Sequence, residues 1–230
     1  MAVDTIRHLD VFCADKFNPK QVEVIGCGAI GSRVVLGLSK LGIEKIRVWD
    51  FDKVEEHNIA NQAFGNHQIG QPKAKAIASI VKEFCGIDIE VKQEKVDGSQ
   101  KLEGVVFMCP DTMKARKEIW TRAMKLQPRV EVLLECRMGK DSCRVYCVDP
   151  TSRKDINGYE KSLYDDEETE VSACGAAISV GPTAEFTSAL LQWSFIRWFS
   201  NRIDSKKLVP ESESLLWLDP VTVISNVFQD

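Results

Sequence analysis

A glycine-rich loop between two short apolar segments constrains the fold more than any other feature of the chain. It has the pattern G-x-G-x-x-G, formed by Gly26, Gly28 and Gly31, and it directly follows an apolar run. The first glycine permits a tight turn, the second lets backbone approach a phosphate, and the third lets a helix pack on the strand. Asp50 ends the next apolar segment, where a carboxylate can bind a ribose hydroxyl. The pattern predicts a nucleotide site; the alternative is a glycine turn used only for packing.

Strand and helix patterns alternate along most of the chain. Strands are predicted at 21–26, 44–50, 88–92, 104–109, 130–136 and 142–148, and helices at 29–41, 72–85, 112–126 and 182–200. Alternation with short connections implies a mainly parallel sheet covered on both faces. The predicted fold is therefore an α/β, Rossmann-like, doubly wound sheet. The alternating segment 215–228 predicts an antiparallel C-terminal extension, a hairpin broken at Pro220.

A chain of 230 residues is long enough for one large domain. We expect a single domain with a nucleotide-binding core at 20–150, a loop at 150–180 and a C-terminal helix with strands at 181–230. The stretch 150–172 is polar and shows no period, so it is predicted to be a long loop.

Composition excludes several classes of protein. The net charge of −4 and the 44% apolar content suggest neither a nucleic-acid-binding nor a membrane surface. No apolar run is long enough to span a bilayer, and the first residues lack a signal-peptide pattern. The 8 cysteines are typical of buried thiols in a reducing compartment, so we expect a cytoplasmic protein.

A run of polar side chains follows the second predicted strand. Its members are Asp52, Asn58, Asn61, Gln62 and, at the start of a predicted helix, Lys73. A dehydrogenase needs none of them. A lysine at a helix N-terminus opposes the helix dipole by about 0.5 kcal/mol, and a bound anion would offset that cost. In this order the residues favour a triphosphate; taken singly, Lys73 reads as a solvated lysine and Asn58 as a turn or cap residue.

Asp111 follows the predicted strand 104–109, at the edge where ligands bind in open α/β sheets. Its carboxylate is suited to hold Mg²⁺ against nucleotide phosphates. The alternative is a helix cap worth about 1 kcal/mol, and the position alone does not decide between them.

Together these motifs resemble the ThiF/MoeB/ubiquitin-activating-enzyme superfamily over about residues 20–200. Four motifs of the family are matched in order. The glycine loop is matched by Gly26, Gly28 and Gly31, and D-x-D-x-V-x-x-x-N-x-x-R-Q by Asp50, Asp52, Val54, Asn58 and Gln62. G-x-x-K is matched by Gly70 and Lys73, and D-N-x-x-x-R by Asp111 and Arg116. Ile30, inside the loop, is expected to join the cofactor contacts.

The resemblance implies ATP-dependent adenylation of the C-terminal glycine of a ubiquitin-like β-grasp protein. Asp50 would bind the ribose, Asn58 and Lys73 the phosphates, and Asp111 the Mg²⁺. Cys174 would accept the acyl group as a thioester, the alternative being a small buried cysteine. The family also implies a homodimer, a crossover loop over the partner's tail and a downstream conjugating enzyme. The compact chain favours a bacterial or phage type, in conjugation or sulfur-carrier biosynthesis.

The chain departs from the family pattern at several points. Asn61 stands where the family has arginine, so a phosphate-binding cation is missing. Lys75 is near in sequence, and Arg7 resembles the N-terminal arginine that relatives insert into a partner subunit's site, the alternative being a surface arginine. Thr112 stands where the family has asparagine. The C-x-x-C pairs of zinc-binding relatives are absent, and Cys143 with Cys147 does not complete a tetrahedral site, so no structural zinc is predicted.

Two alternatives remain at this point. An NAD-dependent oxidoreductase is compatible with the glycine loop and Asp50. A catalytically silent scaffold of the same family, half of a heterodimer, is favoured by Asn61 and opposed by Lys73 and Asp111.

Overall fold

A computed structural model describes residues 3–17, 20–165, 179–203 and 210–229. The strands of these ranges are β1 (Val22–Ile25), β2 (Ile46–Trp49), β3 (Glu90–Lys92), β4 (Gly104–Met108), β5 (Val130–Met138), β6 (Ser142–Val148), β7 (Glu213–Leu218) and β8 (Val221–Asn226). The α-helices are α1 (Ala14–Phe17), α2 (Gly31–Lys40), α3 (Lys73–Cys85), α4 (Met113–Ile119), α5 (Arg153–Lys161) and α6 (Gly181–Ile203).

All eight strands belong to one mixed sheet in the order β3-β2-β1-β4-β5-β6-β7-β8. Pairing is parallel from β3 to β5 and antiparallel from β5 to β8. The predicted Rossmann-like sheet with an antiparallel C-terminal extension is therefore confirmed. Because β1 lies between β2 and β4, the strand order reverses at β1, and in open α/β sheets ligands bind at the carboxyl ends of the strands beside such a reversal.

Alternate residues of the central strands face two separate cores. On β4, Val105 and Phe107 pack into the larger core, and Val106 and Met108 into the smaller one. The larger core holds the apolar faces of α2, α3 and α6; the smaller holds those of α4 and α5. This period-2 alternation on a sheet covered on both sides gives the near-continuous apolar runs seen in the sequence.

Three predicted elements need correction. The stretch 150–172 is not all loop, because α5 occupies Arg153–Lys161. The predicted helix 112–126 is α4 followed by a π-helical turn, Trp120–Met124. The predicted helix 29–41 begins at Gly31 and ends at Lys40. The polar sequence hid α5 because only Ile156 and Tyr159, three residues apart, are buried on its inner face.

Helix α6 anchors the larger core through an aromatic cluster. The ring of Phe195 lies 5.5 Å from that of Phe12, 5.2 Å from that of Phe17 and 5.8 Å from that of Phe107. These rings come from both ends of the chain and from the central sheet, so they fix α6 across it. Of the helices in the described ranges, none is long and apolar enough to cross a membrane.

Phe195→Ala should lower the free energy of unfolding by about 3–5 kcal/mol, because the change leaves a cavity among close-packed rings. Ile203→Ala, exposed at the C-terminal end of the same helix, is the control. It should change stability by no more than about 0.5 kcal/mol. Urea unfolding of both variants measures the difference, and equal losses would contradict the packing described.

Candidate nucleotide-binding site

The glycine loop is built by close backbone contacts on one side and open space on the other. A Cβ at Gly31 would lie 1.8 Å from the carbonyl oxygen of Gly26, and a Cβ at Gly26 would lie 2.7 Å from that of Cys109. Gly26 also has a φ of +87°, which disfavours other residues. A Cβ at Gly28 would meet nothing within 4 Å. Positions 26 and 31 therefore need glycine for packing, whereas Gly28 faces room for a ligand.

Asp50 fastens this loop to the end of β2. Its Oδ2 accepts a hydrogen bond from the amide of Cys27 at 2.6 Å, and its Oδ1 accepts one from the amide of Asp52 at 2.8 Å. Burial raises the pKa of Asp50, while the two amides and the Lys73 ammonium act against that rise. Each carboxylate oxygen can accept a second bond, so these contacts leave capacity for a ligand hydroxyl.

Lys73 is the first residue of α3, as predicted. Its side chain is only 11% exposed, and its Nζ lies 3.4 Å from Oδ2 of the half-exposed Asp52. Its amide donates to the carbonyl oxygen of Asp52 at 2.9 Å, which ties the helix start to the end of β2. This largely buried ammonium lies at the positive end of a helix with the half-exposed Asp52 as its ion-pair partner, a position suited to attract an anion.

The segment after β2 holds its own shape and leaves polar atoms unused. Oδ1 of Asn58 accepts a hydrogen bond from the amide of Glu55 at 2.9 Å, so Asn58 stabilises the turn. This is the role of a turn or cap residue that the sequence offered as the alternative to phosphate binding. Within the described ranges, the side-chain oxygens of Asn61, Gln62 and Ser179 are buried without a hydrogen-bond partner. Such atoms are rare in folded proteins and mark a place for a ligand or water.

Asp111 follows β4 and lies at the same edge of the sheet as the glycine loop. The hydroxyl of Thr112, and not Asp111, caps α4, accepting from the amide of Ala115 at 3.3 Å. The exposed Asp111 carboxylate makes no hydrogen bond or ion pair within the described residues. Thr112 thus supplies the helix cap, so the Asp111 carboxylate is not needed for capping and is available to bind a metal ion.

A buried charge network beneath Asp111 was missed by the sequence reasoning. Arg116 donates to the Glu135 carboxylate, to the carbonyl oxygen of Cys136 at 2.6 Å and to that of Pro110. Arg137 binds the same carboxylate through Nη2 at 3.0 Å. Burial acts to lower the pKa of Arg137, but Glu135 together with Tyr146 and Tyr159 outweighs it and the pKa is raised. The pKa of Arg116 is raised as well, so both arginines stay charged. Arg116 thereby holds the turn that presents Asp111.

Arg33 was also missed. It lies in the first turn of α2, and its guanidinium donates to the carbonyl oxygens of Ala29 and Asn61. Of the two candidate replacements for the missing arginine, Lys75 is exposed on α3 and Arg7 is exposed in the turn Ile6–His8, and a role of Arg7 in a partner subunit's site stays a prediction. That turn packs near Gly42, at the end of α2 remote from the loop. An arginine two residues after the last loop glycine was the available signal.

Cys174 lies outside the described residues. Of the cysteines within them, burial raises the pKa of Cys143 to about 11 and raises the pKa of Cys27 and Cys147 above the ordinary value. The contact with the Cys109 thiol, together with burial, raises the pKa of Cys136. These thiols are packed in the core and stay protonated, so none of the four is suited to act as a nucleophile.

Most of the chain matches the model of a known protein family. The model of the ThiF family matches residues 6–220. The chain belongs to the ThiF family.

Individual relatives match parts of their own length. The uncharacterized protein MJ0693 of Methanocaldococcus jannaschii is 32% identical over 45% of this chain and 45% of its own. Ubiquitin-like modifier-activating enzyme 5 of Drosophila ananassae is 32% identical over 76% of this chain and 41% of its own. The match thus spans less than half the length of these curated ThiF-family relatives.

Solved structures show the same fold. A structure of E. coli MccB with AMPCPP and MccA superposes with a TM-score of 0.70 at 18% identity, covering 94% of this chain and 66% of that one. A structure of PaaA superposes with a TM-score of 0.71 at 15% identity, covering 99% of this chain and 70% of that one. At these identities the likeness establishes architecture alone.

Two glycine substitutions separate packing from ligand binding. Gly31→Ala should destabilise the protein by more than about 3 kcal/mol, because the new methyl group overlaps a backbone oxygen that cannot move away. Gly28→Ala should change thermal stability little and weaken nucleotide binding, because its methyl group enters open space. Calorimetric unfolding and ATP titration measure both effects; a stable Gly31→Ala protein would contradict the loop geometry.

Proposed function

We propose that this protein uses ATP to adenylate the C-terminal carboxylate of a ubiquitin-like β-grasp protein. The carboxylate oxygen forms a bond to the α-phosphorus of ATP, the bond to the β-phosphate oxygen breaks, and pyrophosphate leaves. One observation carries the proposal. The buried Lys73 ammonium and the Asp111 carboxylate, which does not cap α4, lie at the same carboxyl edge of the sheet as the glycine loop. A nicotinamide-dependent dehydrogenase requires neither.

ATP fits the residues at this edge. The open side of Gly28 admits a phosphate against backbone amides. The unpartnered oxygens of Asn61, Gln62 and Ser179 offer acceptors for ligand or water hydrogens. Asp50 keeps acceptor capacity for a ribose hydroxyl, and Ile30 and Asp52 complete the set of proposed contacts.

Mg²⁺ fits Asp111 as one ligand among several. Within the described ranges, no three His, Cys, Asp or Glu side chains are grouped as a ready metal site. Mg²⁺ is commonly held by one or two carboxylates together with substrate phosphates and waters. When bound, it would neutralise charge on the phosphate oxygens. Asp111 would hold it, and Arg116 would keep the Asp111 turn in place.

The protein's own residues supply positioning and charge. The Lys73 ammonium is desolvated before substrate arrives, so its attraction for a phosphate oxygen is stronger than in water. Two anions, the carboxylate and the triphosphate, must meet at this edge, and the fixed cation lowers their repulsion. No general base is required, because a C-terminal carboxylate is already ionised at pH 7.

The partner and later steps extend the same proposal. Curated relatives include ubiquitin-like modifier-activating enzymes, which supports a ubiquitin-like partner. The acidic segment 165–170 would suit a basic patch beside the partner's tail. Cys174 would take the acyl group as a thioester, with AMP leaving, before transfer toward a conjugating enzyme. We further propose a cytoplasmic homodimer, consistent with the exposed Phe186 and Trp193 on α6.

ATP–pyrophosphate exchange tests the proposal directly. Purified protein, Mg²⁺ and labelled pyrophosphate are incubated with and without the ubiquitin-like protein encoded nearest to the gene. Exchange that requires the partner's free C-terminal carboxylate is expected. ATP binding without exchange for any candidate partner would favour the silent-scaffold alternative, and binding of NAD(H) without ATP would favour an oxidoreductase.

Lys73→Ala should slow adenylation by about 2–4 kcal/mol in transition-state free energy, since one preorganised charge is lost. Lys75→Ala is the matched control, because Lys75 lies on the same helix but is exposed. Single-turnover formation of the acyl-adenylate measures both. Equal rates for the two variants would remove Lys73 from the phosphate site.

Asp111→Asn should raise the Mg²⁺ concentration needed for half-maximal exchange, because a charged ligand becomes neutral while the Thr112 cap on α4 stays intact. Thermal stability should be unchanged, which separates a metal role from a structural one. An unchanged Mg²⁺ dependence would show that another group holds the ion.

A further inference from the structure

Arg33 joins three segments that surround the glycine loop. Its Nη1 donates to the carbonyl oxygen of Ala29 at 2.8 Å and to that of Asn61 at 2.5 Å. Its Nε donates to Oε1 of Glu185 at 2.7 Å. The guanidinium therefore lies where the loop, the segment after β2 and the first turns of α6 meet.

We infer that Arg33 is a second phosphate-binding cation of the nucleotide site, alongside Lys73; this inference rests on the proposed function. A guanidinium carries five N–H donors, and the three contacts above use the N–H groups of Nη1 and Nε. Within the described residues, Nη2 has no hydrogen-bond acceptor. The two N–H groups of Nη2 thus remain as charged donors beside the loop, and a guanidinium N–H donates well to a phosphate oxygen.

The charge of Arg33 is only partly cancelled by its ion pair. The Arg33 side chain is 14% exposed, whereas that of Glu185 is 66% exposed. Water screens the carboxylate much more than the guanidinium, and exposed ion pairs contribute little net energy. The glycine loop therefore experiences a net positive charge from Arg33, added to the amides at the start of α2.

The place of Arg33 also accounts for Asn61. Asn61 stands where the resemblance leads one to expect an arginine, and its backbone carbonyl is the group that Arg33 touches. The side-chain oxygens of Asn61 and Gln62 are buried beside this contact without partners. A guanidinium reaching from α2 thus occupies the neighbourhood that a side chain at position 61 would otherwise enter.

Calorimetric titration with Mg·ATP tests the inference on the full chain. Arg33→Met should raise the Kd for ATP at least about tenfold, the loss expected for a charge-assisted contact. Glu185→Gln should leave that Kd unchanged or lower it, because a negative charge is removed. If Arg33 were only a tie between the loop and α6, Glu185→Gln would weaken binding as Arg33→Met does, and the inference would be overturned.

A double variant supplies the rescue. Arg33→Met combined with Asn61→Arg should restore the Kd to within about threefold of the wild-type value, since a guanidinium returns to the same neighbourhood. No gain over Arg33→Met alone would count against a phosphate role. Thermal unfolding of each variant shows whether the fold is retained.

Arg33→Lys keeps the inference testable if Arg33→Met does not fold. The lysine variant retains the charge but loses the Nη2 donors, so its Kd should rise by less than tenfold. Wild-type ATP binding with an unchanged Kd in Arg33→Lys and Arg33→Met would overturn the inference and leave the proposed function standing. A wild-type protein that binds no ATP would overturn the proposed function, and the inference with it.

Discussion

The Asp50 carboxylate is the interaction on which the site depends. Its two oxygens bind amides from the glycine loop and from the exit of β2, so two neighbouring strand ends hold one geometry. The group is 7% exposed, and ionising it there costs free energy. The amides of Cys27 and Asp52 and the nearby Lys73 ammonium offset that cost. Losing the carboxylate would therefore free the loop and leave the lysine with one fewer counter-charge.

The sheet order brings separate chemistry to one edge. β1 delivers the glycine loop, β2 delivers Asp50, and β4 delivers Asp111, because parallel strands end on the same side. The two cores hold these strand ends in place. Helix α6 covers one face of the sheet, and the Arg116–Glu135–Arg137 ion-pair network lies on the other. A site on strand ends backed by packed layers needs little reorganisation when charge develops.

Local patterns predicted most of the fold and drew attention to Asp50, Lys73 and Asp111, whose roles at the site stay predictions. Strands β1, β2, β4, β5 and β6 are rich in apolar residues, and the glycine loop with Lys73 at a helix start is a short-range signal. Long-range pairing was beyond such patterns: Glu135 and Arg116 are 19 residues apart, and Arg33 and Glu185 are 152 apart. Helix α5 was missed because its inner face is narrow, and which of Asp111 and Thr112 caps α4 depends on backbone geometry.

The unequal glycines of the loop bear on how such a sequence can diverge. Gly31 is confined by the backbone of Gly26, so its constraint comes from folding and persists in any descendant that keeps the fold. Gly28 faces open space, so under the proposed function its constraint would come from the bound phosphate. Under the proposed function, a descendant that no longer bound a nucleotide would keep Gly26 and Gly31 for packing, whereas position 28 would be free to change. The residue at position 28 would therefore indicate whether a related chain is still under selection to bind its ligand.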